Sequence, residues 1–106
     1  MPETPQIAPA HSNPAVARCC APWDQVYQQA RAQGKGDTFA AMDAGQIYRR
    51  NLPALDSLEA VRDFIACVAQ GMLLGAIAGA DGTRLIYAAQ VADTSLRGKN
   101  RKQPAA

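Results

Sequence analysis

The side chains best suited to nucleophilic or metal-binding chemistry in this chain of 106 residues are three cysteines, Cys19, Cys20 and Cys67, and one histidine, His11. A cysteine or serine nucleophile needs a nearby base to take its proton. His11 stands in a Pro-rich, polar N-terminal stretch, so no thiol or hydroxyl of the folded part has a histidine partner by sequence. A structural zinc site takes four ligands, commonly from paired Cys-x-x-Cys spacings. Here Cys19 and Cys20 are adjacent and no second pair exists. The count is odd and the N-terminus lacks the basic-then-apolar order of a secretory leader, so reduced thiols are expected rather than a disulfide framework. The bland role is that of small buried apolar groups. Cys19 or Cys20 would then lie near Cys67 if both helices face one core.

Carboxylates are the next candidates for acid–base work. Asp24, Asp43, Glu59 and Asp63 suit helix caps or solvated faces better than a catalytic pair. Glu59 and Asp63, four apart, share one side of a helix, and Arg62 eases their repulsion. The only short Gly-Lys-Gly stretch, Gly34-Lys35-Gly36, is too short for a phosphate-cradling loop. No catalytic residue, metal ligand or cofactor-binding residue is assigned, and the chain is expected not to be an enzyme.

Charge is unevenly placed. Residues 1–96 hold seven basic and nine acidic side chains, net −2, and Arg97, Lys99, Arg101 and Lys102 bring the chain to +2. These four could touch nucleic-acid phosphates. They have no interleaved aromatics and an acidic domain behind them, so a solvated tail is the simpler reading.

The element that must position everything else is the run Phe64–Ala80. It has seventeen residues, no charge and one polar side chain, Gln70. As one helix it would span roughly 26 Å, against about 30 Å for a bilayer core. Eight of its residues are Ala or Gly. A buried helix of a soluble bundle is therefore preferred to a single membrane span, and membrane association is not expected. The helix is predicted to run from a capping box at Asp56 and Glu59 to about Ala78. Gly71, Gly75 and Gly79 fall four apart and would share a face, for close packing within the chain or for self-association as a homodimer. Gln70 needs partners if buried, with Tyr48, Tyr87 and Gln90 as candidates, or it faces solvent.

Three further helices follow from periodicity. The first starts at Asn13 as cap with Pro14 behind it and carries the stripe Val16, Cys19, Cys20, Trp23, Val26, Tyr27 and Ala30. Pro22 is expected to kink or restart it, and Gly34-Lys35-Gly36 to end it. The second is capped by Asp37, buries Ala41, Ala44, Gly45, Tyr48 and Leu52, and stops at Leu52-Pro53. After a turn at Asp81-Gly82-Thr83, the fourth presents Leu85, Ala88, Ala89, Ala92 and Leu96 and ends at Gly98. A helix-turn-helix reading of the middle helices fails, because the recognition helix would be the apolar one.

Three blocks, Asn13-Pro14-Ala15 to Trp23, Arg62-Asp63-Phe64 to Ile77, and Leu85-Ile86-Tyr87 to Ala92, with Tyr48-Arg49-Arg50-Asn51-Leu52-Pro53 between them, resemble a set of small uncharacterised bacterial proteins. The resemblance covers about residues 13–92 and implies a natural bacterial intracellular protein; it carries over no site residue. The expectation is an all-α bundle of about four helices: a disordered arm over 1–12, one helical domain over 13–97, and a disordered basic tail over 98–106. Its expected role is that of a cytoplasmic, non-enzymatic interaction or regulatory module, self-associating. Nucleic-acid association through the basic end and a single-span membrane protein are the alternatives.

Overall fold

The computed structural model describes the chain from residue 13 to residue 102. The expected arm and the last four residues lie outside the described residues. The fold is a compact all-α bundle of four helices: α1 (Pro14–Ala32), α2 (Asp37–Arg50), α3 (Leu58–Leu74) and α4 (Gly79–Lys102). Helix α1 packs against α2 and α3, and α4 packs against α3.

Asn13 caps α1 as its residue type suggests. Its side-chain oxygen accepts from the amides of Ala15 (2.8 Å) and Val16 (3.3 Å). Its Nδ2 donates to Asp63 on α3 at 3.3 Å, so the cap also ties two helices together. The helix does not restart at Pro22 but runs through it. An interior proline costs about 3 kcal/mol. Burial of Ala15, Val16 and Cys19 before it and Ala30 after it holds one helical register across the break in hydrogen bonding. Gly34, at φ +90°, closes the helix. Its amide bonds to Arg31 O and that of Lys35 to Ala30 O, the paired bonds of a Schellman end.

Two caps are shifted by one residue from their expected places. Gly36, not Asp37, is the N-cap of α2. The Asp37 carboxylate is instead held by the Tyr27 hydroxyl of α1. Ser57, not Asp56, caps α3, its Oγ accepting from Ala60 N at 3.0 Å. Glu59 then falls one position too early to complete a capping box.

The largest departure is the end of α3. The apolar run is not one helix. It stops at Leu74, and Gly75 adopts a left-handed conformation with φ +80°. The amides of Ala76 and Ile77 both turn back to Gly71 O, at 2.8 and 3.1 Å. Ala76 and Ile77 are buried by this reversal. Arg49 holds the turn from α2, donating from Nη1 to Ala76 O at 2.6 Å. Among the described residues no helix is long and apolar enough to cross a membrane, which removes the single-span alternative for them.

Helix α4 begins at Gly79, so Asp81-Gly82-Thr83 forms its first turns rather than a loop, with Gly82 N bonded to Ala78 O at 2.8 Å. It also continues through Gly98 to Lys102. Glycine costs a helix only about 1 kcal/mol, less than is needed to stop one that is otherwise well formed. The segment expected as a tail from residue 98 is therefore helical as far as the structure describes it.

The core is built on Tyr48, Ile77, Val61, Val68, Cys19 and Cys67, with Phe64, Val16, Ala44 and Ala89 around them. Leu73, which belongs to the run expected as a buried helix, is 83% exposed. It stands on the side of α3 away from Phe64, Cys67, Val68 and Gly71, which a helix of 3.6 residues per turn places together.

Candidate functional site

Among the described residues, reactive side chains meet at the junction of α1, α2 and α3. Cys19 of α1 and Cys67 of α3 are both fully buried, close enough that each perturbs the other's thiol. Cys19 also contacts Asn51 O at 3.3 Å through its sulfur. Cys20 is half-buried beside them, and all three cysteines are free. The buried Tyr48 hydroxyl donates to Cys67 O at 2.5 Å. Burial, with the neighbouring Cys19 adding to it, pushes the Cys67 thiol from its ordinary 9.0 up to about 12. Burial is also the main cause raising Cys19 and Cys20, and Tyr48 rises for the same reason. Protonated thiols are poor nucleophiles and poor metal ligands. The sequence expectation that a thiol of α1 lies near Cys67 is met, and burial favours the protonated form of all three thiols.

The carboxylates do not converge. Asp43 pairs with Lys35 at 2.8 Å, Asp63 accepts from Asn13, and Asp37 binds Tyr27. Tyr27 is raised chiefly by that bond to Asp37 and stacks on Trp23 with ring centroids 5.4 Å apart. Among the described residues no group of three or more His, Cys, Asp or Glu side chains could hold a metal ion. His11 lies outside them.

Gly71, Gly75 and Gly79 do not share a helix face. Gly71 is the close contact: a methyl there would meet Tyr48 Cε1 and Ile77 Cδ1, each at 2.7 Å. Gly75 is the helix end, and Gly79 opens α4; a methyl at either meets nothing within 4 Å. A fourth glycine missed by that spacing, Gly82, packs directly on the Met72 side chain. The glycine contacts are thus made within the chain, to α2, to the reversal and between α3 and α4. The alanine-rich stripe of α4 is also used internally, with Ala89 buried and Leu85, Ala92 and Leu96 packed on the core. Gln70 is half-buried. The Tyr48 proton goes to Cys67 O, while Tyr87 and Gln90 are exposed, so none of the three meets Gln70 in the way a buried amide would require.

The basic residues Arg97, Lys99, Arg101 and Lys102 lie in the last turns of α4, where cations suit the helix dipole. Arg97 pairs with Asp93 at 2.9 Å, and Lys99 is exposed.

What periodicity did not single out is a set of large apolar side chains pointing outward. Phe39 and Met42 stand on the outer side of α2, and Tyr87 (68% exposed) and Val91 (51%) on the outer side of α4. The signal was in the sequence. Tyr87 and Val91 are four apart and fall opposite the buried Gly82 and Ala89, but the alanine-rich inner stripe reads as less apolar than the outer one. No known protein family, curated protein or solved structure matches this chain.

Proposed function

We propose that this protein is a small, cytoplasmic, non-enzymatic helical module that works by protein–protein interaction and associates with itself as a homodimer. The observation that carries this reading is the outward placement of Phe39, Met42, Tyr87 and Val91 on helices whose opposite faces are already packed. Tyr87 and Val91 form one exposed apolar pair a turn apart on α4, and Phe39 and Met42 a separate one on α2; exposed apolar patches of this kind mark interaction surfaces. A reducing compartment is supported by three free cysteines, two of them buried side by side. Sedimentation velocity of the intact chain across a concentration series tests the proposal. A dimer that dissociates on dilution is expected; a monomer at every concentration up to the millimolar range overturns self-association.

A second reading, nucleic-acid association, is supported by the helical continuity that gathers Arg97, Lys99, Arg101 and Lys102 at one end of α4. DNA retention that falls with salt, and that is lost when the four are changed to Gln, would support it. Retention unaffected by those changes would remove it.

A further inference from the structure

Helix α4 carries two seams. The inner one packs on α3 through Gly82, Leu85, Ile86, Ala89, Ala92 and Leu96. On the opposite side, Ala80, Arg84, Tyr87, Val91, Thr94 and Gly98 follow one another at spacings of four and three, which is the repeat of a two-stranded helical seam. Ala80, Arg84, Tyr87, Val91 and Thr94 are all exposed, and Gly98 has open space where a side chain would stand. Nothing else in the described chain covers this face, since α4 packs on α3 alone among the helices in any extended way.

We propose that this outer seam is where a second copy of the chain docks, with the two α4 helices antiparallel and related by a two-fold axis at the level of Ala89. The inference rests on the self-association reading above and specifies its surface, register and direction. The seam has its smallest residues, Ala80 and Gly98, at its two ends and Tyr87 and Val91 at its centre. In the antiparallel register Tyr87 meets the partner's Val91, Arg84 meets the partner's Thr94, and Ala80 meets the partner's Gly98. The bulky pair sits at the centre, twice over by symmetry, and the smallest pair at each end lets the helices approach. Thr94 has already given its hydroxyl to Gln90 O at 3.1 Å, so it offers its methyl group to the seam without stranding a polar group.

Charge decides the direction. A parallel pair would put Arg84 against Arg84 and bring the two sets of Arg97, Lys99, Arg101 and Lys102 together. The antiparallel pair places the two Arg97 residues 16 residues apart along the axis, about 24 Å, and the other cations farther still, about three screening lengths at physiological salt. It also brings each basic end to the level of the partner's Asp81, an exposed carboxylate whose contact with Arg84, at 3.8 Å, is loose.

The test combines sedimentation with cross-linking in the full chain. Tyr87→Glu and Val91→Glu should each weaken the dimer at least about 100-fold, the penalty of an unpaired charge buried in an interface. Helix content by circular dichroism should stay at the wild-type level, because both side chains are already outside. Under mild oxidation, a mixture of Arg84→Cys and Thr94→Cys chains should form a mixed disulfide dimer, beyond the background of the native cysteines, while neither variant alone should. If each variant cross-links with itself and the mixture does not, the antiparallel register is overturned. If Tyr87→Glu and Val91→Glu leave the dimer intact while Phe39→Glu abolishes it, self-association survives and the α4 seam is wrong. A wild-type chain that never dimerises overturns both.

Discussion

Substituting Gly75 separates conformational strain from close packing as the reason for a glycine there. With φ at +80°, Gly75 occupies the left-handed region, where an L side chain costs about 1–2 kcal/mol. A methyl at this position meets nothing within 4 Å, so packing adds no further penalty. Because Gly75 lies past the last helical residue, alanine gains nothing from helix propensity. It does stiffen the unfolded chain, worth about 0.4–1 kcal/mol in the opposite direction. From the midpoints of the two ranges the net loss for Gly75→Ala is about 0.8 kcal/mol. At roughly 4–8 °C per kcal/mol for a domain of this size, the melting temperature falls by about 3–6 °C. Gly75→Asn is the discriminating variant. Asparagine tolerates the left-handed region better than alanine, so strain ranks it closer to wild type. A close helix contact would rank it worse, because it is larger. Thermal melts followed by circular dichroism at fixed protein concentration measure both. An alanine variant melting at or above wild type, or an asparagine variant melting below alanine, refutes the assignment of Gly75 as a left-handed helix end.

Leu73→Asp should leave stability within about 0.5 kcal/mol of wild type in urea titration, because the side chain is outside; a drop of several kcal/mol would put Leu73 in the core. Gly71→Ala should destabilise even though alanine favours helix by about 1 kcal/mol. The added methyl meets Tyr48 and Ile77 at 2.7 Å, and Tyr48 is pinned by its bond to Cys67 O, so overpacking of about 1–3 kcal/mol wins; a higher melting point would show that both side chains yield freely. Alkali should weaken the fold through Cys67. Its thiol is raised from 9.0 to about 12, so its contribution is complete below pH 9 and is lost as pH rises toward 12, at no more than about 1.4 kcal/mol per pH unit. The urea midpoint should fall over that range, and less steeply in Cys67→Ala; equal slopes in the two chains would remove Cys67 as the cause.

Much of the architecture was determined by local chemistry that needs no tertiary contact. Asn13-Pro14 is a helix start because an amide side chain can satisfy the first free backbone N–H groups, and a proline there loses nothing. Gly34 ends α1 because the left-handed turn excludes most other residues. The stripe of Val16, Cys19 and Ala30 on α1, and of Ala44, Gly45 and Tyr48 on α2, follows from the helical period alone. The nearness of a thiol of α1, Cys19 or Cys20, to Cys67 followed in turn, since two apolar stripes in one small domain have one core to face.

Tertiary structure decided what a uniform apolar run leaves open. Within Phe64–Ala80 every register is equally hydrophobic, so periodicity could neither find the inner face nor tell Leu73 from Val68. Three equally spaced glycines could not reveal that only Gly71 is pressed by Tyr48 and Ile77. Gly75 reverses the chain because Ile77 then fills the space beside Gly71 and Arg49 closes on Ala76 O, the second a contact between residues far apart in sequence. Asp37 is held by Tyr27 of a different helix, whereas the shift from Asp56 to Ser57 is a local exchange of cap between neighbours. The outer face of α4 was likewise set by packing: once small residues such as Gly82 and Ala89 are drawn against α3, where close approach favours them, the larger Tyr87 and Val91 are left facing outward.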